Sequence, residues 1–309
     1  LFPDIKFEKF NNKFKKKKFF YLKKKLSPEK YDQVRLLGEK SIITEQKITR
    51  VYPHQNLFSH VLGQIDDDNN GISGIEKSYD FELRKDNKPL QLTLDTNIQF
   101  LIREELIKYQ EVFKSKGSAS ILMNINNGNI LSMVSLPDFN LNKREEIKDV
   151  NFINRATKAV YEFGSVFKTF TVAAGLHEGL IETNTEFLDL KKKIQCGKYY
   201  IEEYDKKIPS NLTVEEILIR SGNIGSVRIG QKLGIKKLKF FLENIGVLSS
   251  IEFDIEEVAP SKKFVWGKCK LATAAFGHGI STSALQVAKG YAIISNGGFE
   301  IAPTLVKRK

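Results

Sequence analysis

Two cysteines, Cys196 and Cys269, are all that 309 residues contain. That is too few for a disulfide framework, and both read as buried thiols. No apolar run is long enough to span a bilayer. No charged start followed by an apolar core and a small-residue cleavage site occurs either. The chain opens on Leu1, so either it is cytosolic or its targeting segment lies outside this sequence. Asp66, Asp67 and Asp68 lack the alternating spacing and closing glutamate of a calcium loop, and read as a solvated turn. An excess of one charge sign is also lacking outside one stretch. The net charge is +12, but residues 1–30 hold eleven lysines against Asp4, Glu8 and Glu29. Their Phe- and Lys-rich core, 11–25, is compatible with a nucleic acid or a membrane surface. It reads better as a solvated helix with an apolar stripe from Phe10 and Phe14, because no nucleic-acid-binding signature accompanies it.

What is present suits a globular chain of one large or two ordinary domains, with 41% hydrophobic and 28% charged residues. Its focus is 161–171, where Ser165 and Lys168 stand three apart. On a helix both side chains share one face. Val166, Phe167, Phe170, Val172, Ala173, Ala174 and Leu176 make that helix apolar almost all round, so it is expected to be buried. A lysine there needs a partner or gives up its proton, and a neutral lysine beside a serine is a general base beside a nucleophile. Ser-x-x-Lys is a pairing of penicillin-binding proteins and β-lactamases. A second copy, Ser27-Pro28-Glu29-Lys30, reads instead as a helix cap followed by a proline and an acidic first turn.

Elsewhere the pattern is mixed. Ile42, Ile43 and Ile48 fall in a strand-and-loop stretch. Ser73-Gly74-Ile75-Glu76 reads as a capping box starting a helix through Phe81 and Leu83, and residues 84–89 look like a boundary. Leu90–Leu94 reads as a short strand, and Asp95 as the cap of a helix whose apolar face is Ile98, Leu101, Ile102, Leu106, Tyr109 and Phe113. Residues 119–125 and 130–135 flank Asn126-Asn127-Gly128-Asn129 as a hairpin. Helix, hairpin and buried helix together point to an antiparallel sheet with helices packed on it.

A second constellation is Ser221-Gly222-Asn223, after a helix capped at Thr213. A hydroxyl and an amide two residues apart in a loop can face one cleft, one relaying a proton and the other holding a peptide carbonyl or ordering the lysine. The alternative is a helix C-cap with Gly222 and Asn223 left-handed.

With both constellations in hand, the chain resembles the class B penicillin-binding proteins, and most of all the division-specific peptidoglycan transpeptidases. The likeness runs in order from about residue 40 to 309: Arg50-Val51-Tyr52-Pro53 with His60-Val61-Leu62-Gly63, Gly74-Ile75-Glu76-Lys77, Leu92-Thr93-Leu94-Asp95 with Gln99, Leu136-Pro137-Asp138-Phe139-Asn140, Asn154-Arg155-Ala156, Gly277-His278-Gly279-Ile280 with Leu285-Gln286, and Asn296-Gly297-Gly298. It implies an α+β fold, an antiparallel sheet flanked by helices, with an extended N-terminal pedestal. Residues 1–88 would be the pedestal, incomplete at its start, and 89–309 the transpeptidase domain.

By the same resemblance Ser165 attacks the penultimate D-alanine carbonyl of a stem peptide, and D-alanine leaves. Lys168 takes the serine proton, Ser221 shuttles it and Asn223 holds the donor peptide. The Ser165 N–H forms half of an oxyanion hole. The implied partners are peptidoglycan stem peptides, β-lactams as inhibitors, and division-complex membrane proteins including a glycosyltransferase. Nucleic acid, cofactor and metal have no place in this reading. The implied location is the inner membrane, periplasmic face.

Three departures stand out. Phe163 precedes Gly164 where the family has Pro or Leu, and Ala284 follows a cap where it has Pro. No Lys-Thr-Gly or Lys-Ser-Gly occurs; in the family that strand would lie past Lys309. The third departure makes the chain an excised piece or the product of a split gene. It keeps open a catalytically dead division scaffold, or a β-lactam-binding sensor, as alternatives.

Overall fold

A computed structural model describes residues 2–3, 5–16, 19–23, 26–47, 49–85, 88–143, 149–260 and 264–308. Residues 1–51 with 66–69 form one compact unit, and 52–65 with 70–309 a second.

The first unit holds α1 (Phe7–Lys16) and α2 (Pro28–Leu36). The Ser27 side chain accepts the Lys30 N–H at 3.3 Å, so the second Ser-x-x-Lys is indeed a cap. On the first helix, read as a solvated one, Phe14 is 67% exposed, and the Phe10 side chain lies outside the described residues. Ile42 and Ile43 are exposed and in no strand, and Ile48 is outside the described residues. The acidic stretch is a turn, in which the Asp68 N–H donates to Asp66 Oδ1 at 2.8 Å.

The second unit begins with three short helices, α3 (Ser59–Leu62), α4 (Gly74–Ser78) and α5 (Asp80–Lys85). The capping box expected at Ser73 does not form. Its hydroxyl accepts the Gln64 N–H at 3.0 Å, and Glu76 turns inward to accept from Tyr52 Oη at 3.1 Å. Two tertiary partners outcompete the local bond. Of the expected boundary at 84–89, residues 86 and 87 lie outside the described set. The strand expected at Leu90–Leu94 is only a bridge between Leu92 and Val306.

Asp95 caps α6 (Thr96–Val112) through the N–H groups of Asn97 and Ile98. The buried face of α6 is rotated from the expected one. Leu101, Tyr109 and Phe113 are exposed, and the fully buried residue is Gln99. Its amide donates to the carbonyls of Leu57 and Met133 and accepts from Ser132 Oγ and the Met133 N–H, all within 2.9 Å. An amide satisfied on every side can occupy a core position that hydrophobic periodicity assigns to its neighbours.

The expected hairpin is β1 (Ser118–Met123) and β2 (Ile130–Leu136), antiparallel with Ser118 opposite Leu136. α6 lies on β2, and α11 (Ala284–Ser295) on β1. α11 starts in a capping box of Ser283 and Gln286, so Ala284 in place of proline does not prevent the helix start.

Two small antiparallel ribbons follow, β3 (Glu186–Phe187) with β6 (Leu212–Thr213), and β4 (Lys193–Cys196) with β5 (Tyr199–Glu202). The remaining helices are α7 (Phe167–His177), α8 (Val214–Ile219), α9 (Asn223–Asn244, interrupted at Gly234) and α10 (Lys268–Ala274). α9 packs on both α7 and α10. Phe167, Phe170, Ile217, Ile224, Val227 and Ile229 form the centre of one core, and Val61, Ile130, Met133 and Leu305 that of another. The architecture is the expected α+β one, with helices on antiparallel strands.

The cysteines depart from expectation. Cys196, at the end of β4, and Cys269, in α10, are joined as a disulfide with Cα atoms 5.3 Å apart. Sequence spacing carries no sign of it, because the two positions lie 73 residues apart and meet only in the folded chain.

Candidate active site

Ser165 sits in a 3-10 turn, Gly164–Val166, that leads into α7. Lys168 is the second residue of the α-helix proper, so the expected helix does pass through both, with its first turn tightened. Ser165 is exposed while Lys168 is 1% exposed. Phe167 and Phe170 are fully buried beside it. One residue of the pair therefore faces solvent and the other is taken out of it.

The turn is fixed from behind. Residues 161–164 are zipped to 277–282: Tyr161 and Thr282 exchange two backbone bonds, and the Gly164 N–H donates to the Gly277 carbonyl at 3.2 Å. Glu162 Oε2 accepts the Gly279 N–H at 2.9 Å, and Tyr291 Oη donates to the Val166 carbonyl at 2.9 Å. Gly277 has φ +81°, and a Cβ there would stand 2.0 Å from the Gly164 carbonyl oxygen. A side chain at 277 must push the turn away. Gly277→Ala is expected to cost about 1–3 kcal/mol of stability, read as a lower denaturant midpoint. An unchanged midpoint would show that the turn yields freely.

Lys168 Nζ meets Ser221 twice, donating to its backbone carbonyl and, at 2.9 Å, to its Oγ. Burial pushes the ammonium down to about 8, opposed by the charge of Glu203. A neutral amine has two N–H bonds and one lone pair. With both N–H groups spent on Ser221, the lone pair is left for a further group. The Ser165 N–H has no acceptor among the described residues.

Ser221 itself lies in the left-handed region, φ +54°, between α8 and α9. The C-cap alternative placed that conformation at Gly222 and Asn223. Gly222 is instead extended (φ −67°, ψ 122°), and Asn223 opens α9. Thr213 and Glu216 cap α8 reciprocally, as expected. Asn223 Nδ2 donates to the Glu202 carbonyl at 2.8 Å, and its Oδ1 has no partner among the described residues. Lys168 and Ser221 are thus brought together, Ser165 lies three residues before Lys168 on the exposed side of the same turn, and Asn223 stands two residues on from Ser221 with its amide tied to β5. Sequence reasoning missed Glu203, whose oxygens accept the N–H groups of Asn223 and Ile224 at 2.6 and 2.9 Å. No spacing rule links a residue just past a hairpin to a helix start 20 positions away.

Among the described residues no group of three His, Cys, Asp or Glu side chains could hold a metal ion. Among the described residues no helix is long and apolar enough to cross a membrane.

Comparison with known proteins adds an independent line. The penicillin-binding protein transpeptidase domain matches residues 118–309, and the penicillin-binding protein dimerisation domain matches 4–111. The probable peptidoglycan D,D-transpeptidase FtsI of Caulobacter vibrioides is 31% identical over 288 residues, 92% of this chain and 48% of that protein. Peptidoglycan D,D-transpeptidase FtsI of Escherichia coli is 25% identical over 312 residues, 92% of this chain and 52% of that one. The chain spans about half the length of the curated relatives it matches. Penicillin-binding protein 3 of Mycobacterium tuberculosis superposes with a TM-score of 0.74 at 23% identity, covering 84% of this chain and 61% of that one. Penicillin-binding protein 2 of Helicobacter pylori gives 0.69 at 24%, covering 83% and 60%. At those identities the structures speak for the fold, and the domain match speaks for descent. With a dimerisation domain ahead of a transpeptidase domain, the chain belongs to the class B penicillin-binding proteins.

Proposed function

We propose that this chain carries the acyl-transfer site of a division-type peptidoglycan D,D-transpeptidase, with Ser165 as nucleophile. The observation that carries the reading is Lys168: a lysine 1% exposed, held by Ser221 and brought down to about 8, one helical turn from an exposed serine. Burying a lysine costs stability, and a non-catalytic scaffold has no use for it. In the reaction, Ser165 Oγ attacks the penultimate D-alanine carbonyl of a stem peptide as its proton passes to Lys168 Nζ. The negative charge that forms on the carbonyl oxygen is met by the Ser165 N–H. Lys168, through Ser221, returns the proton to the departing amine of D-alanine, leaving an ester on Ser165 and a neutral lysine. An amine from a second stem peptide reverses the steps and forms the cross-link. Asn223 Oδ1 is available to an N–H of the donor strand. Division at residue 88/89 into pedestal and transpeptidase parts belongs to the same reading.

β-Lactams would acylate the same oxygen. The M. tuberculosis structures include complexes with ampicillin and aztreonam. The proposed setting is the periplasmic face of the inner membrane, beside membrane proteins of the division complex including a glycosyltransferase. The Cys196–Cys269 bridge supports an oxidising compartment. The deciding experiment is intact-mass analysis after incubation with a penicillin, followed by peptide mapping. One added penicillin on the peptide containing Ser165 is expected; an adduct elsewhere, or none, rejects the assignment.

A further inference from the structure

The β4–β5 ribbon reaches the site through its last residues. The carboxylate of Glu203, just past β5, is split between two donors, Oε2 to the Asn223 N–H at 2.6 Å and Oε1 to the Ile224 N–H at 2.9 Å. Those are the first two N–H groups of α9, which has no side-chain cap of its own from Gly222. One residue earlier, the Glu202 carbonyl accepts from Asn223 Nδ2. The ribbon therefore grips both the backbone and the side chain of Asn223. On the other side of the same turn, Ser221 offers its carbonyl and hydroxyl to Lys168.

We propose that Glu203 is a positioning residue of this site: it clamps the first turn of α9 so that Ser221 and Asn223 stay in register with Lys168. The inference rests on the acyl-transfer reading above and deepens it. Glu203 also puts a negative charge near the lysine. Among the described residues it is the only charged group acting on Lys168, and it opposes the effect of burial. The carboxylate thus has two separable consequences. As a clamp it sets how fast the site reacts when the lysine is neutral. As a charge it sets the pH at which the lysine becomes neutral.

The sign of the second effect follows directly. A nearby negative charge favours the ammonium, so removing it lowers the pH at which Lys168 loses its proton. The acylation rate climbs as the lysine deprotonates, so its rising limb must move to lower pH. A purely structural cap would lower the rate without moving that limb.

The test measures the rate of acylation by a fluorescent penicillin between pH 5.5 and 9.5 for wild type, Glu203→Gln and Glu203→Asp. Glu203→Gln keeps an acceptor for one N–H and removes the charge. Its midpoint is expected to fall by about 1 pH unit, and its plateau rate by about 10-fold or more. Glu203→Asp keeps the charge one methylene further back and is expected to lie between wild type and Gln in both respects. A folded Glu203→Gln protein with an unmoved midpoint overturns the proposal. If Glu203→Gln does not fold, Glu203→Asp decides, and a wild-type midpoint and plateau there overturn it equally. Failure of wild type to label at all would strike the acyl-transfer reading instead.

Discussion

Ser165→Ala is expected to abolish covalent labelling by a fluorescent penicillin, with a loss of at least about 10⁴-fold in acylation rate. The expectation rests on position as much as on residue type. Ser165 is exposed at the start of a buried helix, and the turn that carries it is bonded on both flanks to the 277–282 segment and to Tyr291. Removing one oxygen there leaves the turn without a new clash or an unpaired buried group, so thermal stability is expected to stay close to wild type. Chains that keep their melting temperature and lose their label would separate chemistry from folding. Undiminished labelling of Ser165→Ala would place the nucleophile elsewhere.

Lys168→Met is expected to lower the acylation rate by about 10²–10⁴-fold while leaving the protein as stable or more so at pH 7. The two halves of that expectation have one cause. The lysine is 1% exposed and burial brings its pKa down to about 8, well under the ordinary 10.5. The native state therefore binds fewer protons than the unfolded chain between those two values. Stability rises with pH across that window, and below it the fold carries the cost of an ammonium out of water. Methionine removes that cost. Lys168→Arg is expected to be as inactive as Lys168→Met, because a guanidinium keeps its proton at any working pH. In wild type, about one lysine in ten is uncharged at pH 7 for a pKa of about 8. The acylation rate is expected to climb with pH through that value and then level off. A flat profile from pH 6 to 9, or a Lys168→Met chain that labels at the wild-type rate, would remove the lysine from the mechanism.

Much of this was readable before any coordinates. Ser165 and Lys168 could be found because both lie in one local element, where a three-residue spacing fixes their relation. The hairpin at Asn126–Asn129 and the cap at Thr213 are local in the same sense. Ser221 and Asn223 could be named, but their partners could not. The hydrogen bonds from Lys168 to Ser221 span 53 positions. Asn223 is tied to Glu202 across 21. What failed did so where a tertiary contact displaced a local preference. Ser73 gives up its cap to Gln64, and the inner face of α6 turns about Gln99 because that amide finds four partners in the hairpin and the 57–58 loop. The Leu90–Leu94 strand shrinks to one bridge, a result that depends on where Val306 comes to lie.

The Cys196–Cys269 bridge sorts the reacting groups by covalent topology. It ties off a loop spanning 73 positions, and Glu203, Ser221 and Asn223 are all inside it, whereas Ser165 and Lys168 are outside. The proposed nucleophile and base thus belong to the open chain, and the proposed relay and the Asn223 amide to a closed ring. Away from the two cysteines, ring and chain meet through the Lys168–Ser221 hydrogen bonds and the packing of α7 on α9. The bridge therefore restricts how far the 197–268 loop can spread in the unfolded chain, and leaves the segment carrying Ser165 and Lys168 outside that restriction.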